Sequence, residues 1–204
     1  DVDSVVSDLE YPCVVKPVGL GASRGVIRAD DEVALKDALS RIETLLQADP
    51  DAQDRNTQEG CPPLLIEGYL PGDEFAVEGI LTNGVLEVLA IFDKPDPLEG
   101  PYFEETLYVT PSRQPASIQE AITDCVSKGL AALGLSHGPI HAEVRVDDQG
   151  PWLVEVAPRT IGGLCSRALK FGTGMSLERW ERERWWGREL ARRAERPPWQ
   201  GGWP

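Results

Sequence analysis

Glu143 and Glu155 are the residues of this chain whose type and spacing point most directly to chemistry. In Ile140-His141-Ala142-Glu143-Val144-Arg145-Val146 polarity alternates, so His141, Glu143 and Arg145 share one face of a strand. In the return segment Leu153, Glu155 and Ala157 share a face. A two-residue turn would set Glu143 against Val154 and mix the faces. A three-residue loop, Asp148-Gln149-Gly150 with Gly150 left-handed, aligns Ala142 with Val156, Val144 with Val154 and Val146 with Trp152. Glu143 then lies opposite Glu155, and the hydrophobic pattern selects that register. Opposed carboxylates repel. Either a hard dication with oxygen ligands sits between them, or the pair faces water with Arg145 nearby to compensate. Arg159, four residues beyond Glu155, offers a planar donor fork that suits phosphate oxygens.

Two other stretches carry candidate groups. Val14-Val15-Lys16-Pro17 precedes a loop rich in glycine, Gly19-Leu20-Gly21-Ala22-Ser23-Arg24-Gly25. Backbone N–H groups in such a loop can close on phosphates. It is neither a Walker A loop nor a Rossmann fingerprint, because the lysine precedes the glycines and their spacing differs. A plain strand-to-strand turn is an equal reading. The second stretch is Leu64-Leu65-Ile66-Glu67-Gly68-Tyr69-Leu70-Pro71-Gly72-Asp73-Glu74-Phe75, in which an acid on an apolar strand is followed by a turn and a second acid. Lys94 follows in Phe92-Asp93-Lys94-Pro95. Each of these alone also reads as a solvated strand end. His137 and His141 have a helical metal spacing, but Gly138-Pro139 between them breaks any helix, which argues against a two-histidine zinc site.

The elements that must hold these groups are short strands and two helices. Pro12–Lys16 reads as a buried strand and Val26–Arg28 as another. A helix capped by Asp30 or Asp31 runs to about Gln47, with an apolar stripe of Leu35, Ala38, Leu39, Ile42, Leu45 and Leu46. Leu64–Tyr69 and Glu74–Thr82 are strands. Asn83-Gly84 is a two-residue hairpin turn that pairs residue 82 with 85, setting Phe75 opposite Phe92, Val77 opposite Ala90 and Leu81 opposite Leu86. Ser117 with Glu120 forms a capping box for a helix ending near Gly134. Pro139–Val146 and Trp152–Val156 are the last clear strands, and a helix is expected around 164–171. Strands and helices mix without a βαβ rhythm, so the fold class is α+β.

Composition narrows the function. The chain has 204 residues, a net charge of −14 and 41% hydrophobic residues, enough for a globular core without staples. The acidic balance argues against nucleic-acid backbone binding, which needs a basic face, and no apolar run is long enough for a membrane helix. The four cysteines form no C-x-x-C pair and read as reduced thiols of a cytoplasmic protein. Charge is uneven: residues 1–178 hold 13 bases and 30 acids, whereas 179–204 hold seven arginines, four glutamates and five of the six tryptophans.

Taken in order, these pieces resemble the ATP-grasp superfamily from about Tyr11 to Gly174, nearest to its amino-acid and dipeptide ligases. The resemblance implies two α+β subdomains with mostly antiparallel sheets enclosing a nucleotide cleft. It assigns residues 1–69 to the glycine-loop subdomain, 70–178 to the metal and phosphate subdomain, and leaves 179–204 as an atypical tail. It implies ATP and Mg²⁺ (or Mn²⁺) as cofactors. Lys16 matches the lysine at the α/β-phosphates, and Gly21, Ala22 and Ser23 the loop over the phosphates. Glu67 and Leu70 match the adenine hinge, and Glu74 the acid on the ribose hydroxyls. Lys94 resembles a second lysine near the phosphates. Glu143 and Glu155 match the metal-binding acids, and Arg159 the arginine at the transferring phosphoryl group. Glu105, in Tyr102-Phe103-Glu104-Glu105-Thr106, resembles an acid near the substrate amino group, and Gly162 and Gly163 would line the substrate pocket. The implied activity is an ATP-dependent carboxylate–amine ligase working through an acyl phosphate on small-molecule substrates. Alternatives are nucleotide binding without complete ligation, and carboxyphosphate formation as in the biotin-carboxylase type. Ala157 departs from the asparagine many relatives carry, and Tyr108 stands where relatives can carry histidine. The chain begins without Met and close to the Lys16 strand, so an N-terminal domain is expected in the full-length protein.

Overall fold

The computed structural model describes residues 8–48, 63–98, 100–103, 107–162, 165, 170–171 and 175–176. The chain divides into two compact units. One takes the described residues of Asp1–Pro71 and Asp96–Leu107, the other those of Gly72–Pro95 and Tyr108–Pro204. Every strand pairing is antiparallel, so the α+β class holds.

The first unit is a three-stranded sheet with one helix. Strands β1 (Cys13–Pro17), β2 (Ile27–Ala29) and β3 (Leu64–Gly68) lie in the order β2-β1-β3. Alternation sends Cys13 and Val15 of β1 and Ile27 and Ala29 of β2 to one face. There they meet Leu35, Ala38, Ile42 and Leu46 of helix α1 (Glu32–Ala48) in one core. The helix starts where the sequence indicates: the Asp31 Oδ1 accepts from the Ala34 N–H at 2.8 Å, an N-cap bond. The described residues of 96–107, a stretch expected with the second part of the chain, belong to this first unit. Tyr102 bridges to Ile27, and the Arg28 N–H donates to Pro101 O at 2.9 Å.

The second unit is a four-stranded sheet with one helix. Strands β4 (Asp73–Thr82), β5 (Val85–Lys94), β6 (His137–Asp147) and β7 (Gly150–Ala157) lie in the order β5-β4-β6-β7. Phe75, Val77, Leu81, Ile91, Ile140, Ala142 and Val144 point to one face, where helix α2 (Ala116–Ala132) covers them with Ile122, Val126 and Leu130. The expected Ser117–Glu120 capping box does not form. The helix begins at Ala116 with Pro115 at its N-cap, so Ser117 is already inside the first turn. Gly134 ends the helix at φ 70°, a left-handed C-terminal position. Gly72, at φ 99°, leads into β4, and a Cβ there would fall 2.0 Å from Val146 O, so the close approach of these backbones requires glycine.

Both hairpins of this sheet correct the expected pairings. In β4–β5, Thr82 pairs with Val85 and Leu81 with Leu86 as expected, but a bulge follows between Glu78 and Gly79. Leu89 is the extra residue, so Val77 meets Ile91 and Phe75 meets Asp93, not Ala90 and Phe92. In β6–β7 the turn is the two-residue Asp148-Gln149, with Asp147 Oδ1 accepting from the N–H groups of Gln149 and Gly150. Arg145 therefore meets Trp152 and Val144 meets Leu153. A bulge between Glu143 and Val144 then restores the opposition of Glu143 with Glu155 and of Ala142 with Val156.

Two short strands, β8 (Lys170–Phe171) and β9 (Met175–Ser176), pair with each other. Lys170–Phe171 is therefore strand where a helix was expected, and most of 164–171 lies outside the described residues, as does the tail 179–204. Cys13, Cys125 and Cys165 carry free thiols. No helix among the described residues is long and apolar enough to cross a membrane.

Candidate functional site

The face of the second sheet opposite helix α2 is where charged residues collect. A bulge inserts one residue, and every side chain beyond it changes face. Without Leu89 as an extra residue, Lys94 would oppose Asp73 and point into the apolar face. With it, Lys94 opposes Glu74. Without Val154 as an extra residue, the two-residue turn would set Val154 against Glu143. With it, Glu155 takes that place. The two bulges thus each turn one charged side chain onto the same face, beside Glu78, His141 and Arg145.

These groups form a continuous ionic chain. Arg145 Nε donates to Glu74 Oε2 at 2.9 Å, and Lys94 Nζ donates to Glu74 Oε1 at 2.7 Å. Lys94 Nζ also donates to Glu143 Oε1 at 2.9 Å. The same Oε1 faces His141 Nε2 at 3.6 Å, an ion-pair distance. His141 Nδ1 contacts Glu78 Oε1 at 2.5 Å, and Glu78 Oε2 accepts from the Ile161 N–H at 2.9 Å. The side chains of Lys94, Glu74 and Arg145 are almost fully buried, and Glu78 is 0% exposed. Burying one of these charges alone would be costly. Buried together, each has a partner.

The protonation states follow from this packing. Burial alone would lower His141, but the facing Glu143 and Glu78 carboxylates more than reverse it and hold the imidazole up to about 9. Burial pushes the Glu143 carboxyl up, and the His141 hydrogen bond with the Lys94 charge overcomes this, holding it down to about 2. Burial raises Glu78, partly offset by His141. His141 is therefore expected to titrate near pH 9 in the folded chain against about 6.5 unfolded. A raised folded value means its stabilising contribution is complete below pH 6.5 and is lost as pH rises through about 9. An imidazole NMR titration checks this, and a midpoint at or below 6.5 contradicts the ion-pair geometry.

Glu155 is exposed on β7, directly opposite Glu143. After Ala157 the chain turns away. Arg159 is exposed, its Nη1 donating to Thr160 O at 2.9 Å. Ile161 is buried against Ala76 and Phe92, and Gly162 is exposed. Gly163 and Glu105 lie outside the described residues.

The first unit holds the remaining candidates. Lys16 and Glu67 share the sheet face away from helix α1, because Glu67 pairs with Val14, two residues before Lys16. Their side chains form an ion pair at 2.5 Å, and Leu70 is half-buried just past β3. Gly21, Ala22 and Ser23 lie in the exposed loop from β1 to β2. Ala22 and Ser23 are both left-handed, at φ 58° and 55°, an uncommon and strained conformation outside glycine. The loop borders a cavity of about 700 Å³ that Tyr102 and Arg41 also line, within the size range of small-ligand sites.

Glu78 is the site residue that sequence reasoning missed. Its signal was present: in Glu74-Phe75-Ala76-Val77-Glu78 an acid recurs on the face of Glu74 within an apolar strand. Its partner His141 is 63 residues away and becomes visible only with the β4–β6 pairing.

The donor chemistry of Glu143 and Glu155 fits magnesium bound with nucleotide phosphates. Both supply hard oxygens, and magnesium is commonly held by one or two carboxylates plus substrate phosphates. Among the described residues no group of three or more His, Cys, Asp or Glu is placed to hold a metal, so a metal held by this pair needs further oxygens from a ligand or from water.

Comparison with known proteins bears on this arrangement. A family model described as an ATP-grasp domain matches residues 9–168. Carnosine synthase 1 of Gallus gallus is 34% identical over 122 residues, which are 60% of this chain and 13% of that protein. D-alanine--D-alanine ligase of a Synechococcus strain is 28% identical over 172 residues, 80% of this chain and 46% of that protein. The crystal structure of L-amino acid ligase from Bacillus licheniformis superposes with a TM-score of 0.73 at 32% identity, covering 90% of this chain and 43% of that one. The chain thus spans less than half the length of each of these proteins.

Proposed function

Because the chain belongs to the ATP-grasp domain family, we propose that it serves an ATP-dependent ligase joining a carboxylate to an amine. The observation that carries the reading is the opposition of Glu143 and Glu155 on one sheet face, with Lys94 at 2.9 Å from Glu143 and Arg159 four residues past Glu155. The first unit is the glycine-loop subdomain in this reading, and the second the metal and phosphate subdomain.

In the first unit Lys16 and the loop Gly21–Ser23 take phosphate oxygens, and Glu67 with the backbone of Leu70 takes the adenine edge. Glu74 accepts from Lys94 and Arg145. A carboxylate offers roughly four acceptor positions, so those left over serve the ribose hydroxyls. Glu143 and Glu155 hold Mg²⁺. When bound, magnesium neutralises β- and γ-phosphate charge and orients the oxygens for displacement.

A substrate carboxylate oxygen attacks the γ-phosphorus, the bond to the bridging oxygen breaks, and ADP leaves. The product is an acyl phosphate. The amine then attacks its carbonyl carbon, phosphate leaves, and the nitrogen loses a proton. Lys94 and Arg159 supply fixed positive charge where negative charge develops. Glu105, Gly162 and Gly163 contribute the substrate side. The names of the similar proteins, D-alanine--D-alanine ligase and L-amino acid ligase, support amino acids as both substrates.

Incubating the protein with ATP, Mg²⁺ and a panel of amino acids tests this. ADP release is expected only with a carboxylate and an amine together, with a product of their summed mass less one water. ADP release driven by bicarbonate without an amine would overturn it in favour of carboxyphosphate formation.

A further inference from the structure

We propose that Glu78 is a positioning residue that ties the loop after β7 to the strand carrying Glu143. This rests on the reading of Glu143 and Glu155 as metal ligands. Glu78 sits mid-strand in β4, with 0% exposure. Its two oxygens go to different parts of the chain. Oε2 accepts from the Ile161 N–H at 2.9 Å, 83 residues away, and Oε1 meets His141 Nδ1 in β6 at 2.5 Å. His141 in turn presents Nε2 to Glu143 Oε1 at 3.6 Å.

Among the residues described from 158 to 162, Pro158, Arg159 and Gly162 are exposed and Thr160 is half-buried. Of these five Ile161 is the buried one, its side chain against Ala76 and Phe92 and its amide on Glu78. Arg159 and Gly162 flank that anchored residue on either side. One buried carboxylate therefore fixes both the backbone that presents Arg159 and, through His141, the side chain of Glu143. An apolar residue at this buried position would leave both of these partners without the carboxylate. A buried carboxylate in mid-strand is otherwise costly, and coupling these two elements accounts for it. Outer groups of this type orient metal-site ligands and tune them.

The test compares Glu78→Met with Ile122→Val, which deletes a methylene from the core on the opposite face. Methionine has a similar length and offers no carboxylate oxygen, so the Ile161 N–H and His141 both lose that partner. In nucleotide-free protein, hydrogen exchange at the Ile161 amide is expected to speed up about tenfold or more in Glu78→Met, the shift for one lost buried hydrogen bond. Affinity for Mg²⁺ with a non-hydrolysable ATP analogue is expected to fall about tenfold, the low end for removing an outer partner of a metal ligand. Ile122→Val should leave both unchanged. The proposal is overturned if Ile161 exchange in Glu78→Met stays as in the unmodified chain, if exchange rises with affinity unchanged, or if Ile122→Val moves both as far. Should Glu78→Met not fold, Glu78→Asp keeps the charge on a shorter side chain and the same readouts apply. If the unmodified chain binds no Mg·nucleotide, the functional reading fails, and Ile161 exchange alone then decides whether Glu78 holds the loop.

Discussion

Lys94→Met is expected to destabilise the second unit by about 3 kcal/mol, the lower part of the range for removing one partner of a buried ion pair. Lys94 Nζ holds Glu74 at 2.7 Å and Glu143 at 2.9 Å, with only 3% of its side chain exposed. Methionine fills nearly the same volume, so little of the loss comes from packing. The cost is that of two buried carboxylates deprived of a shared cation. It stays below the maximum because Arg145 still reaches Glu74 and His141 still faces Glu143. Lys36→Met is the matched control. That lysine also pairs with a glutamate, Glu32 at 2.8 Å, but both side chains are about half exposed, and such a pair contributes about 0–1 kcal/mol. Urea unfolding of the two variants checks the contrast. Equal losses would mean that the Lys94 cluster is not a buried ionic network.

The second large effect is functional. Glu143→Gln combined with Glu155→Gln should abolish the Mg²⁺-dependent part of ATP affinity while leaving any Mg²⁺-independent part. Losing an outer partner of a metal ligand already costs about 10–100-fold in metal affinity. Losing both carboxylate ligands removes at least that much. The side chains keep their size, and Glu155 is exposed, so the change there costs little stability. At Glu143 the amide still accepts from Lys94 through its oxygen. Retention of the full Mg²⁺ dependence by the double variant would mean that the metal is held elsewhere.

Much of this arrangement is written locally in the sequence. The apolar pattern of Ile140–Val146 against that of the return strand points to Glu143 opposite Glu155, and that opposition is present. The periodic stripe of the first helix and the Asn83-Gly84 turn are equally local. The two bulges are not. In Val88-Leu89-Ala90-Ile91-Phe92 every residue is apolar, so a slip of one position leaves an apolar side chain on the core face under either register. Nothing in that run says which residue is extra, and the face of Lys94 depends on it. Leu153-Val154 hides the second bulge in the same way. There the apolar pattern points to the correct opposition through a three-residue loop, whereas the chain reaches it through a two-residue turn and an extra Val154. The Glu78–His141 contact depends on β4 pairing with β6, strands that no hairpin links, and so no local pattern announces it.

Calorimetric titration of the unmodified chain with a non-hydrolysable ATP analogue, in Mg²⁺ and then in EDTA, tests the central claim most directly. Binding in Mg²⁺ that weakens by about tenfold or more in EDTA is expected, because a site built on two carboxylates repels bare phosphates and needs the metal to offset that charge. Equal affinity with and without Mg²⁺, or no binding in either, would contradict the assignment of Glu143 and Glu155 as the metal site of an ATP-dependent ligase.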